Sequence, residues 1–99
     1  MKYFILNGRD SENAPEGVDF DAVLAEHKVY TSKFFADGTL LFGGPKPAGS
    51  GVMVVRGESE EWAKEFGEND PLLKSGLQKY DVIEFCMFKC QDSVREWFE

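Results

Sequence analysis

The sequence predicts an α+β fold, an antiparallel four-stranded sheet with two helices on one face, and three observations carry that prediction. Four short runs are rich in β-branched and aromatic residues. Two longer segments repeat apolar residues every three or four positions. Their chain order is strand, helix, strand, strand, helix, strand, which is the order of the split βαβ motif.

The first strand is "YFILNG" (3 to 8), closed by Asn-Gly. The loop "RDSENAPEG" follows and reads as a mobile solvent loop. In helix one, about 19 to 37, Phe20, Val23, Leu24, Tyr30, Phe34 and Phe35 share an arc of roughly 140 degrees at about 100 degrees per residue. Asp19 or Asp21 meets the dipole in its first turn, and Gly38 after Asp37 is the expected stop. "TLLFGG" (39 to 44) and "GVMVVRG" (51 to 57) are strands two and three, joined by "PKPAGS", which is too long for a tight hairpin. Ser59 caps helix two, whose first turn carries Glu60 and Glu61, whose apolar residues are Trp62, Ala63 and Phe66, and which stops near Gly67. "YDVIEFCMFK" (80 to 89) is strand four.

This order is the ferredoxin-like arrangement, which leaves one sheet face bare. Strand four places Ile83, Phe85 and Met87 at one parity and Val82, Cys86 and Phe88 at the other, so both of its sides call for cover. A second copy of the chain is the simplest cover for the face without helices, and a homodimer is expected. The domain spans 1 to 89. The tail, 90 to 99, has Ser93 and Glu96 at capping-box spacing before Trp97 and Phe98, and is expected as a short helix packed on the body or on the partner.

A length of 99 residues accommodates one domain, and an apolar share of 42% with nine Phe, two Trp and three Tyr supplies its core. Eleven Lys plus Arg against 18 Asp plus Glu give a net charge of -7, a field that repels phosphate backbones, so nucleic acid is not an expected partner. No run of apolar residues is long enough to cross a membrane and no leader pattern opens the chain, so a cytoplasmic location is expected. Cys86 and Cys90, four apart on the predicted strand, are separated by about 13 Å and do not bridge; they are expected to be inert core or interface thiols. With one histidine and no paired CxxC, no metal site is predicted.

That histidine, His27, falls within the apolar arc of helix one and points inward, where an imidazole requires a hydrogen-bond partner. Asp70 stands before Pro71, which disfavours helix at Asp70 and suits the first position of a new turn, so Asp70 is an N-cap for "PLLK". A carboxylate has acceptor sites to spare beyond one cap, and both helices lie on one sheet face, so Asp70 is within plausible reach of His27. Such a pair would orient the ring and favour imidazolium, as a general base requires. Two roles stand side by side for each residue: His27 as a satisfied structural group or a catalyst, Asp70 as a cap alone or also as the partner of the ring. Tyr30, on the same helix face, either packs in the core or offers its hydroxyl to a pocket. "GGPKPAGSG" lacks the Gly-Lys-Ser/Thr ending of a phosphate loop and reads as a hairpin loop rimming a pocket, with Lys46 and Ser50 as candidate contacts.

Taken together, His27, "DGTLLFGGP" (37 to 45), "SEEWAKEF" in the second helix and "NDPLLKSGL" (69 to 77) resemble the YCII-related (YciI-like) domains over about residues 1 to 89. The resemblance implies a ferredoxin-like fold dimerising into an α/β barrel, akin to muconolactone-isomerase-like proteins, with a pocket beside a His-Asp pair. By position that pair is His27 and Asp70, and the Gly44-Pro45 turn lines the pocket. One branch of the family looks like it removes chloride from chlorinated hydroxyquinols. Many members carry an arginine one turn before the histidine, where this chain has Leu24. The expectation is an enzyme, isomerase or lyase, that works without a cofactor on a small cyclic or enolisable metabolite. The alternative is a non-catalytic dimer that binds a small ligand or a partner protein.

Overall fold

A computed structural model describes residues 1–99. Its elements are β1 (Lys2–Asp10), α1 (Phe20–Ala36), β2 (Leu40–Pro45), β3 (Gly51–Gly57), α2 (Glu60–Glu68), α3 (Pro71–Lys74) and β4 (Gln78–Phe85), followed by a 3₁₀ helix at Asp92–Phe98. The four strands form one antiparallel sheet in the order β2-β3-β1-β4, which is the ferredoxin-like order.

Local chemistry sets the helix ends. Asp19 accepts from the backbone N–H of Ala22, and Ser59 from that of Trp62, each satisfying a donor that the first turn leaves without an intrahelical partner. Gly38, at φ 83°, follows the C-cap Asp37 and turns the chain out of α1 into β2.

On the helix-bearing face, Phe4, Leu6, Leu40, Met53 and Val55 from the strands meet Ala63 and Phe66 of α2 to form the core, with Tyr30, Phe34, Trp62, Tyr80 and Val82 packed around it. Tyr30, Phe34, Trp62 and Phe66 form an aromatic cluster, its members tilted, stacked or edge-on at centroid distances of 4.7 to 5.5 Å. α2 rests on β1, β3 and β4, whereas α1 meets chiefly β2 and α3.

Two strand boundaries differ from the sequence-based expectation, and pairing explains both. β4 is an edge strand whose only partner is β1. Its last pair is Tyr3 with Phe85, next to the start of β1, so nothing remains to hold 86 to 89 in the sheet. At the other end β4 begins at Gln78 and draws β1 out to Asp10. Cys86, Met87 and Phe88 therefore have no strand parity. Cys86 is exposed rather than a core thiol; both cysteines are free, and strand spacing is not what keeps them apart.

The tail folds onto the face opposite the helices. Tyr3 donates to the carbonyl of Phe98, Arg56 donates to the carbonyl of Trp97 and lies over its ring, and the Trp97 indole N–H donates to the carbonyl of Gly38. The predicted capping box does not form: Gln91 stands at the N-cap with no side-chain bond, and Ser93 lies inside the 3₁₀ turn. Phe42 and Ile83, on the same face as Tyr3 and Ile5, remain 57% and 48% exposed beyond the tail.

Candidate active site

The turn between α2 and β4 carries the site's central group. Asp70, held extended ahead of Pro71 (ψ 133°), accepts from the backbone N–H of Leu72 at 3.0 Å and so caps α3. It is completely buried. The same carboxylate accepts from His27 Nδ1, which lies 2.8 Å from Oδ1 and 2.7 Å from Oδ2, and from the Tyr80 hydroxyl at 2.8 Å. Backbone amide, imidazole and phenol converge on one anion, which is how a buried carboxylate is satisfied without a cation of fixed charge.

The proton arrangement follows from this. An ionised carboxylate only accepts, so Nδ1 carries the hydrogen and the neutral ring keeps its lone pair on Nε2. Nε2 has no protein partner, and no buried side-chain nitrogen or oxygen in the chain lacks one, so Nε2 has open surface. The His27 side chain is 21% exposed, and it forms part of the wall of a cavity of about 540 Å³.

That cavity lies between α1 and the β2–β3 side of the sheet. Phe20, Leu24, His27, Lys28, Thr31 and Phe35, a stripe at helical spacing on α1, face Gly43, Gly44, Pro45, Gly51, Val52 and Met53 across it, with Leu72, Gln78 and Tyr80 beside them. Small residues create the space. Gly51 lines the cavity next to Gly8, where a Cβ would meet the Gly51 carbonyl oxygen at 2.8 Å, so neither central strand raises a side chain there.

The apolar arc of α1 is accordingly divided. Tyr30 and Phe34 turn to the core while Phe20, Leu24 and Phe35 turn to the cavity, leaving Phe20 and Phe35 half exposed. Tyr30 thus stands apart from the cavity wall: its hydroxyl donates to the carbonyl of Phe66 at 2.7 Å, and burial together with the nearby Asp70 charge pushes its pKa up to about 12. Gly44, Pro45, Lys46 and Ser50 do line the cavity, and Pro45 sits at the end of β2 rather than in a turn. Two of these have their polar ends bonded elsewhere. The Lys46 amine donates to Asn7 Oδ1 and the Gly8 carbonyl, both at 2.8 Å, and the Ser50 hydroxyl donates to Asp10 at 3.2 Å.

Tyr80 and Gln78 are the site residues that sequence reasoning missed. Burial first, and the Asp70 charge second, hold the Tyr80 phenol far above its usual pKa, so it remains a donor to Asp70. Helix-face parity on β4, had the strand been begun at Gln78, would have placed both beside Val82 on the side of His27.

A solved structure of 5-chloro-2-hydroxyhydroquinone dehydrochlorinase (TftG) from Burkholderia phenoliruptrix, in complex with 2,5-dihydroxybenzoquinone, is similar in fold, with a TM-score of 0.59 and 24% identity over 89% of this chain and 94% of that one. No curated protein matches the chain with significance. No helix is long and apolar enough to cross a membrane. The family model of the YCII-related domain matches residues 1–86, which with the ferredoxin-like strand order places this chain in the YCII-related domain family.

Proposed function

We propose that this protein is a cofactor-independent enzyme that carries out general acid/base chemistry on a small cyclic, enolisable metabolite, with His27 as the base and Asp70 orienting it. The observation that carries the proposal is the division of labour within one imidazole: Nδ1 is fixed by a buried carboxylate, and Nε2 is left open at the wall of a cavity. Nε2 removes a proton next to a carbonyl or from a ring hydroxyl, and the electron pair left behind becomes an enolate. The imidazolium, stabilised by Asp70, returns the proton to a different carbon in an isomerisation. In an elimination the enolate instead expels a leaving group with its bonding pair as the carbonyl re-forms beside a new double bond, and the imidazolium passes its proton to the leaving group or to water.

The cavity favours a compact, weakly charged substrate. Leu24 puts hydrocarbon where an arginine stands in many relatives, and Phe20, Phe35, Leu40, Val52, Met53 and Leu72 make most of the lining apolar. The likeness to a dehydrochlorinase holding a dihydroxybenzoquinone agrees with a ring of this size and supports a lyase as readily as an isomerase. A homodimer belongs to the same proposal, because Phe42 and Ile83 stay exposed on the sheet face that the tail covers only in part. Sedimentation at micromolar concentration should give twice the chain mass, and a monomer there removes this part.

The direct test is proton exchange. Cyclohexane-1,4-dione, lactones and hydroxyquinols are incubated with the protein in D2O and followed by NMR. The wild type should exchange or convert at least one of them, and His27→Ala should lower that rate by about 10²- to 10⁴-fold. A second reading, ligand binding without chemistry, draws on the cap that Asp70 provides to Leu72. Binding to the wild type with no exchange at any pH between 5 and 9 would favour it.

A further inference from the structure

We infer that Gln78 is the residue that recognises the substrate, donating to or accepting from an oxygen function remote from the atom His27 deprotonates. The inference rests on the acid/base proposal for the cavity and adds the chemistry of the ligand: a molecule with two oxygen-bearing positions, one for His27 and one for Gln78.

The starting observation is a nearly buried amide that no protein group bonds. Gln78 is only 7% exposed, yet its carboxamide makes no hydrogen bond with the protein. No buried polar side-chain atom in the chain lacks a partner, so the amide nitrogen and oxygen both keep surface, and Gln78 is part of the cavity wall. An amide whose polar atoms open on a cavity takes its hydrogen-bond partners from what the cavity holds, whereas a methionine of similar volume would take none. The position makes chemical sense if something in the cavity completes the amide.

The other polar side chains of the wall sharpen the assignment. Thr31 donates to the carbonyls of His27 and Lys28, Tyr80 to Asp70, Lys46 to Asn7 and Gly8, and Ser50 to Asp10. His27 Nε2 and the Gln78 amide are left unbonded inside, with Lys28 at the exposed rim. Gln78 and Tyr80 are two apart on β4 and share its helix-bearing side, so their Cα atoms are about 7 Å apart. The Tyr80 hydroxyl touches the carboxylate that holds His27, and Gln78 and His27 both line the one cavity, so a single small molecule there faces both groups. A glutamine amide offers two donors and one acceptor, so it accommodates a hydroxyl, an enol or a carbonyl equally well.

The test compares hydroquinone, with two oxygens across a ring, with phenol, which has one, by NMR titration of wild type and Gln78→Met. The wild type should bind hydroquinone about tenfold more tightly than phenol, and Gln78→Met should lose that preference while its melting temperature is unchanged or raised. Equal affinities in the wild type, a preference that survives in Gln78→Met, or a fall in the variant's melting temperature would each overturn the assignment, the last because it would show the amide to be a structural group. Failure of the acid/base proposal reads out separately, as absent proton exchange or exchange indifferent to His27→Ala.

Discussion

Beneath α2 the sheet is dry: Phe4, Val55 and Ala63 have no exposed surface, Phe66 has 4%, and Trp62, Tyr30 and Phe34 close around them. Beneath α1 the same sheet is hollow: Gly43 and Gly51 line the space without side chains, and Phe20 and Phe35 stand at its edge with 46% of each exposed. A single helix serves both regions, one side of α1 giving Tyr30 and Phe34 to the core and the other giving Leu24, His27 and Thr31 to the cavity. The contrast teaches that tight packing and open, ligand-sized space are separated laterally across one layer, with Asp70 at the seam. Its carboxylate ties α1 through His27, α3 through Leu72 and β4 through Tyr80.

The contrast can be broken most forcefully in the dry half. Phe66→Ala should cost about 3–5 kcal/mol in urea unfolding, whereas Leu24→Ala, on the hollow side, should cost about 1 kcal/mol or less and change ligand affinity instead. If the two substitutions destabilise alike, the space under α1 is packed as tightly as the core and is not a binding cavity.

At the seam, Asp70→Ala should destabilise by about 3 kcal/mol, since it strands the imidazole and the phenol and removes a cap. Asp70→Asn keeps an acceptor for the Leu72 N–H and should cost less, about 1–2 kcal/mol, while proton exchange falls as far as in the alanine variant. Loss of stability with exchange intact would reduce Asp70 to a cap.

Tyr80→Phe is the gentlest probe and should cost about 1 kcal/mol. Titration adds a sign. Burial first and the Asp70 charge second raise the folded pKa of Tyr80, and that of Tyr30 to about 12, above the ordinary 10.0. Their contribution to stability is therefore complete below pH 10 and is lost as pH rises through the folded values, because the unfolded chain ionises first. Melting temperature should decline from about pH 10 upward, and less steeply in Tyr80→Phe.

The sequence by itself determined the order of elements, the ends of the helices and the caps at Ser59 and Asp70. These depend on chain neighbours: a cap reaches two or three residues, a helical period repeats every few, and proline restricts the residue just before it; His27 and Asp70, 43 residues apart, were legible only as two candidates within reach of each other. Only the tertiary structure decided where β4 stops, why Cys86 is exposed, how the arc of α1 divides, that Tyr80 completes the Asp70 cluster and that Gln78 is left unbonded at the cavity wall. A strand ends where its partner ends, and a cavity exists where separate strands all omit side chains. Both conditions are set across the sheet, between residues far apart in the chain, and no local pattern records them.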